Sequence, residues 1–418
     1  MRVLWFSINA SCYNSALSKG CYNGGGWVSS LEKIIKKQDD ISLGIAFEFS
    51  SDKFKDTIDG VDYYPINLLK NKKEHFIHEY TIGHEEKYLV PYALKIIDDF
   101  KPDIIQCFGA EWCYGLVAQF TNIPVIIHIQ GSMPTYNNVA YPPRYNRWTK
   151  IAYDFSHFRF KDVVRSFLGY KKAKEREERE CRILKMNKYF FGRTDWDKAI
   201  TDLFSPKSCY FLGNEALRDS FFYSDKRWQV KERRKVILCT TGNGSLWKGL
   251  DIILKTANIL KLHTDLDFSW HIIGGVDNVG YLEWMENLQF HNCNIELLGV
   301  LDENKVKEEL LNCDMYVHPA YIDNSPNALC EAMIMGCPCI ASYVGGIPSM
   351  LDDSVSGELV PVNEPYYLAD RIKNLAKDKS LQIKYSKNAL LKAQKRHSID
   401  NIANEILAAY KTILENNN

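Results

Sequence analysis

Between Val317 and Val344 the chain reads VHPAYIDNSPNALCEAMIMGCPCIASYV, a run that fits strand, loop, helix, strand and little else. An apolar segment begun at Met315 closes at Val317. Asp323-Asn324-Ser325-Pro326 cannot extend a strand. Ser325 is expected as N-cap and Pro326 as the first helical residue, where a missing N–H costs nothing. Ala328, Leu329, Ala332, Met333 and Met335 follow at helical spacing, and Gly336 stops the helix. Cys339-Ile340-Ala341 starts the next buried strand. The loop therefore sits at the C-terminal edge of a parallel sheet beside a helix N-terminus, whose amides attract anions such as phosphate.

Two carboxylates bracket this turn, Asp323 in the loop and Glu331 eight residues on. Charged residues are mostly exposed, so a solvated pair is the plain alternative. Glu331, however, lies between Cys330 and Ala332 in a mainly apolar helix. The stretch resembles the E-x7-E signature of retaining family 4 glycosyltransferases, with Asp323 at the first acid and Glu331 at the second. HPA, NSPNALCEAMIMGCPCIAS and VGGIP match that pattern too. The resemblance implies that the first acid faces a donor sugar and the second binds the ribose hydroxyls of a nucleotide. Ser325, Pro326, Asn327 and Ala328 then fall at the donor phosphates.

The 418 residues favour two or three domains, and 52 Lys plus Arg against 52 Asp plus Glu give a net charge of zero. Nothing global points to nucleic acid; attraction to an anionic surface must come from a local patch. The 12 cysteines show no paired C-x2-C sets, and many sit in apolar runs, so neither zinc nor a disulfide framework is expected. MRVLWFSINAS reads as a first strand rather than a signal peptide, and no window approaches the roughly 20 apolar residues of a membrane span. A reducing cytoplasm is the expected location, extending to the inner face of the cell membrane.

The first half alternates strands and helices. Strands are expected from Val3 to Ser7, Ser42 to Phe47, Val61 to Ile66, Asp103 to Cys107 and Pro124 to Ile129. Helices are expected at Trp27–Lys37, Lys87–Phe100 and Trp112–Thr121. This is a βαβ series and hence a parallel sheet. Gly24-Gly25-Gly26 precedes the first helix; a plain turn explains it as well as a phosphate loop does. The resemblance places Gly25 and Gly26 near the donor diphosphate. It also puts Gln130 where relatives carry a histidine that hydrogen-bonds the donor sugar. His128, two residues earlier, reads more simply as a satisfied core residue.

From Pro142 to Lys188 the composition changes, with 14 Lys plus Arg against 6 Asp plus Glu and interleaved aromatics. Two readings stand: a solvated helical face with internal ion pairs, or a basic aromatic surface that meets anionic lipid or a lipid-phosphate acceptor. Arg193, at a strand end, suits an anion or an ion pair with Asp195 or Asp197.

In the second half, Lys235–Thr240 is a strand, Thr241–Gly249 a glycine loop with Lys248, and Leu250–Leu262 a helix. This resembles a phosphate site without being a Walker A. The resembled family has an arginine in this loop, and Asn243 stands there instead. Lys248 matches the family lysine, Arg193 is the candidate replacement for the arginine, and backbone near Val300 would hold the base.

The expected fold is α/β of the GT-B kind, with two Rossmann-like parallel-sheet domains facing across a cleft. Residues 1–210 form the acceptor-side domain with its insertion at 142–188. Residues 211–395 bind the nucleotide-sugar, and 396–418 return as a helix to the first domain. The resemblance implies a retaining hexosyltransferase that takes a nucleotide-sugar, a UDP-sugar foremost, to a glycan or lipid-linked acceptor in cell-surface polysaccharide or glycolipid synthesis. Asp323, Lys248 and Gln130 are the catalytic candidates, and no metal or other cofactor is expected. A nucleotide-sugar epimerase of the same fold, or an inactive nucleotide-sugar-binding subunit, is the alternative.

Overall fold

The computed structural model describes residues 1–13, 26–67, 79, 81–83, 85–242 and 244–417. They form two compact units, one of Met1–Asn137, Val164–Ala216 and His397–Asn418, the other of Asn138–Val163 and Leu217–Arg396.

The first unit holds eight strands: β1 (Arg2–Phe6), β2 (Ser42–Glu48), β3 (Asp56–Ile58), β4 (Val61–Ile66), β5 (Ile104–Phe108), β6 (Val125–His128), β7 (Tyr189–Gly192) and β8 (Cys209–Leu212). Their order is β3-β4-β2-β1-β5-β6-β7-β8, parallel except for the β3/β4 pair. Alternate residues of a strand face opposite sides, and the cores follow: Val3 and Trp5 enter one cluster, Leu4 and Phe6 the other. The helix Ile399–Glu415 lays Ile402, Ile406, Tyr410 and Ile413 into the first of these. Its Tyr410 hydroxyl accepts from Trp5 Nε1 at 3.1 Å and donates to Gln106.

Four local expectations need correction. The helix expected at Trp112–Thr121 is a 3-10 segment, Cys113–Gln119. It packs so tightly that a Cβ on Gly115 would lie 2.6 Å from Ile183 Cγ2. The helix expected from Lys87 begins as a π turn, Glu85–Leu89, and becomes α-helical over Val90–Phe100, where Pro91 stands in the first turn. Strand β8 crosses the domain boundary expected after residue 210 and pairs with β7 in the first unit. The segment 142–188 also divides: helices Arg147–Ser156 and Phe160–Met186 are present, but residues up to Val163 pack in the second unit and those from Val164 in the first.

The second unit holds β9 (Val236–Thr241), β10 (Phe268–Ile273), β11 (Ile295–Gly299), β12 (Met315–His318), β13 (Cys339–Ser342) and β14 (Glu358–Val360), in the order β11-β10-β9-β12-β13-β14 and parallel throughout. This is the Rossmann order, in which the winding reverses between the first and fourth strands, here β9 and β12. Apolar clusters cover both faces, Leu238 entering one and Cys239 the other. β12 and β13 are buried along their whole length, as parallel strands between helical layers are.

Candidate functional site

The loops after β9 and β12 meet at the switch point of the second sheet, where ligands of open α/β sheets bind. After β9 the chain makes a 3-10 turn, Leu246–Lys248, and enters the helix Leu250–His263 through Gly249 at φ +77°. A side chain on Gly249 would collide with the Pro319 carbonyl, so the two loops touch backbone to backbone. The Tyr321 N–H donates to the Trp247 carbonyl at 2.8 Å and ties them.

Asp323 lies in the second loop and is 6% exposed. Its Oδ2 meets Lys248 Nζ at 2.5 Å and His318 Nε2 at 3.0 Å, and its Oδ1 accepts from the Asn324 N–H at 3.1 Å. Burial pushes the Asp323 carboxyl up, but the Lys248 charge and the His318 hydrogen bond outweigh it and hold the group well below the usual carboxylate range. From behind, the Gly346 N–H donates to the Asp323 carbonyl at 3.0 Å. Gly345, at φ +52°, lets the chain pass; a Cβ there would strike that same carbonyl.

The helix Asn327–Met335 starts from this loop. The expected cap is corrected here: Pro326, not Ser325, occupies the N-cap position, and no side chain caps the first turn. Ser325 Oγ instead faces Met350 Sδ and Arg396, each at 3.3 Å. The helix N-terminus thus keeps its positive end uncapped. Among the described residues, the buried Asn327 Oδ1 has no hydrogen-bond partner there. Ala328 is the second residue of the same turn.

One turn further, Glu331 is 9% exposed. Arg218 binds its Oε1 through Nε at 2.9 Å and a terminal nitrogen at 2.8 Å, and reaches Glu303 Oε2 at 3.4 Å. Burial raises the Glu331 carboxyl above its ordinary value; Arg218 opposes that shift and Glu303 adds to it. A third loop, after β11, carries Val300, which is 67% exposed beside Gly299 at φ +68°. Glu303 opens the following helix, which Asp302 caps by accepting from the Lys305 N–H at 3.0 Å.

In the first unit, Gln130 follows β6 and its carbonyl accepts from Arg193 at 3.0 Å. Arg193 is 4% exposed, 3.7 Å from Glu215 and 5.2 Å above the Trp27 ring, and its own N–H donates to Asp197. Its guanidinium is therefore engaged within its own unit, beside Glu215 where the sequence reading named Asp195 or Asp197. His128 is fully buried, with Nε2 2.9 Å from the Gly213 carbonyl and Nδ1 3.2 Å from Gln106. Burial and then Arg193 depress its pKa to about 3, so it is neutral. Gly26 begins the first helix at φ +63°. Gly25 and Asn243 lie outside the described residues.

The structure thus brings Lys248, Asp323, Ser325, Pro326, Asn327, Ala328 and Glu331 into one region of the second unit. Two partners in it carry no role in the sequence reading. His318 was visible only as the histidine of HPA. Arg218 sits 113 residues before Glu331, and no local pattern links the two.

Residues 223–392 match the family model of Glycosyl transferases group 1. An uncharacterized glycosyltransferase of Methanocaldococcus jannaschii is 30% identical over 173 residues, which cover 40% of this chain and 42% of that relative. The match thus spans under half the length of the curated relative. Among solved structures, sucrose-phosphate synthase from Thermosynechococcus elongatus superposes with a TM-score of 0.74 at 14% identity, over 100% of both chains. Anabaena HepE in complex with UDP-glucose superposes with a TM-score of 0.62 at 13% identity, over 99% of this chain and 100% of its own.

Proposed function

We propose that this chain, whose residues 223–392 belong to glycosyl transferases group 1 on a GT-B fold, is a retaining hexosyltransferase. It would move a sugar from a nucleotide-sugar, a UDP-sugar foremost, to a glycan or lipid-linked acceptor of a cell-surface polysaccharide or glycolipid. The observation that carries the reading is the Lys248–Asp323–His318 cluster at the sheet's switch point, beside an uncapped helix N-terminus. A departing diphosphate gathers negative charge in the transition state, and groups already aimed at it stabilise that state most. Lys248 and the first-turn N–H groups of Asn327 and Ala328 are suited to this. Arg218 holds one Glu331 oxygen, and among the described residues the other is left to accept ribose hydroxyls. The UDP-glucose complex of HepE supports the donor class.

In front-face transfer the acceptor oxygen bonds to the sugar's anomeric carbon on the side the phosphate leaves. The sugar–phosphate bond breaks, and the acceptor proton passes to the departing phosphate oxygen. This needs no side-chain nucleophile, and the reading assigns no resident metal or cofactor.

A thermal-shift screen of UDP-, GDP-, ADP- and CMP-hexoses, followed by acceptor-dependent release of nucleotide, tests the proposal. Stabilisation by a UDP-sugar and release that needs an acceptor are expected. An isomerised donor without acceptor would make the chain an epimerase. Donor binding without turnover across the acceptor screen would make it a binding subunit.

Apposition to a bilayer belongs to the same reading, with a changed basis. Much of the basic charge at 142–188 is spent inside the protein. Lys172, Arg176 and Arg179 surround the buried Glu85, Arg182 meets Glu86, and Lys150 meets Asp154. The turn after Arg147–Ser156 instead holds Phe158 at φ +58° and 82% exposed, with Phe155 and Phe160 beside it. Exposed apolar rings of this kind insert at the boundary between headgroups and acyl chains. No helix among the described residues is long and apolar enough to cross a membrane.

A further inference from the structure

A groove of about 530 Å³ opens on the second unit between the C-terminal turns of helix Leu250–His263, the helix Val279–Glu286 and the chain leading to β11. That volume lies within the roughly 300–1,000 Å³ of small-molecule sites. It is separate from the cluster around Lys248. Lys261 on its rim is 12 residues beyond Gly249 along one helix, or about 18 Å at 1.5 Å per residue.

Trp284 is 48% exposed, and its ring is held from the other side by Tyr153 at 5.8 Å and Tyr281 at 6.4 Å. Four side-chain amides, of Asn258, Asn287, Gln289 and Asn292, line the same groove. Asn292 Nδ2 donates to Gln289 Oε1 at 2.9 Å, which among the described residues leaves the two N–H groups of Gln289 Nε2 and the Asn292 Oδ1 for a ligand. Among the described residues, no hydrogen bond occupies the Asn287 amide. Its backbone is left-handed at φ +53°, capping the helix and turning the side chain outward as an exposed group. The two charges present are already engaged, Lys261 by the Asn292 carbonyl at 2.5 Å and Glu283 by the Phe290 N–H at 3.0 Å.

A fixed indole face offers a flat apolar surface, and each amide offers a donor and an acceptor on one planar group. A pyranose presents the complement, an apolar C–H face rimmed by hydroxyls that both donate and accept. The groove's one cation, Lys261, is balanced by one anion, Glu283, so no surplus positive charge gathers there for a phosphate-bearing ligand. We propose that this groove binds a neutral glycan segment, stacked on Trp284 and hydrogen-bonded by the amides of Asn287, Gln289 and Asn292, as a second site apart from the transfer reaction. It goes beyond the proposed transfer and does not require it, since the groove can hold a chain whether or not the protein extends one.

The test titrates the intact protein with neutral hexasaccharides of glucose, galactose, mannose and N-acetylglucosamine, and with an oligogalacturonate as the anionic counterpart. UDP affinity is measured alongside. At least one neutral hexasaccharide should bind. Trp284→Leu should weaken it at least about tenfold. Because Trp284 also packs on Tyr153, the exposed pair Asn287→Gly and Gln289→Ala provides a second variant that leaves that packing intact and should weaken binding about threefold or more. UDP affinity should stay unchanged in both. Binding of none of the neutral probes, stronger binding of the oligogalacturonate, or unchanged binding in the double variant would overturn the proposal. Loss of UDP binding with glycan binding retained in the parent protein would sink the transfer reading and leave the groove standing.

Discussion

Lys248 Nζ lies 2.5 Å from Asp323 Oδ2, on the oxygen that also meets His318. The two residues assigned separate roles from the sequence are thus one charge-paired unit. The carboxylate fixes the ammonium, and the ammonium keeps the carboxylate ionised despite burial. A lysine held this way is aimed before any ligand arrives, which is where electrostatic stabilisation of a leaving group gains most.

If Lys248 stabilises the leaving diphosphate, Lys248→Ala should lower kcat by roughly 100-fold, the order seen when one oxyanion donor is removed. The Michaelis constant for the donor should change far less, because the charge it meets grows toward the transition state. Steady-state kinetics decide this, and a variant with normal kcat would move the role elsewhere.

Asp323 carries a stability prediction with a definite sign. Its folded-state pKa is depressed, so its contribution is fully present above the unfolded value of about 3.9 and is lost as pH falls through the folded value. Asp323→Asn should cost about 2 kcal/mol at pH 7, less than the roughly 3–5 of a fully buried pair because Lys248 reaches solvent. The gap in Tm between parent and variant should be constant from pH 7 to pH 5 and shrink below about pH 4. A gap that widens in acid would show that the carboxylate is not held ionised by its partners.

The elements that specify the site around Asp323 were legible because they are local. The strand, the breaking residues and the apolar helix around Asp323 and Glu331 occupy one continuous stretch, and their spacing shows their periodicity. The Ser325 cap failed for a tertiary reason: its hydroxyl is drawn to Met350 and Arg396, which no local pattern reveals. Arg218 was missed for the same cause, since a long-range ion pair leaves no mark in either segment alone. The 3-10 turn at Cys113–Gln119 reflects packing of Gly115 against Ile183, again a contact between distant residues. The division of 142–188 was hidden because composition changes at its ends, whereas the boundary between units falls inside one continuous helix, Phe160–Met186.

Glu331 and Arg218 give the third prediction. If Glu331 binds ribose hydroxyls, Glu331→Ala should weaken nucleotide affinity by about 1.5–3 kcal/mol, roughly 10- to 150-fold, without unfolding the protein. Arg218→Met tests the partner. Burial already raises the Glu331 carboxyl, and removing the arginine raises it further, so less of it is ionised as pH falls. Donor affinity of Arg218→Met should therefore drop more between pH 8 and pH 6 than that of the parent. Calorimetry at both pH values measures it, and parallel curves would release Glu331 from the donor site.

The last prediction concerns the aromatic turn. Phe158 is 82% exposed in a left-handed backbone conformation, and Trp148 and Phe155 near it are 62% and 63% exposed. If this turn enters the headgroup zone, the protein should sediment with neutral phosphatidylcholine vesicles as well as anionic ones. Salt should weaken the attachment little, because so many of the neighbouring cations are already paired within the protein. Burying one Phe contributes about 1.5–3 kcal/mol, so Phe158→Ser should reduce the vesicle partition roughly 10-fold or more. Transfer to a soluble acceptor should be unchanged, since the Lys248 cluster lies elsewhere in the unit. Attachment confined to anionic vesicles and lost in salt would return the role to the basic residues that remain exposed. Sedimentation with neither vesicle would remove the bilayer from the reading.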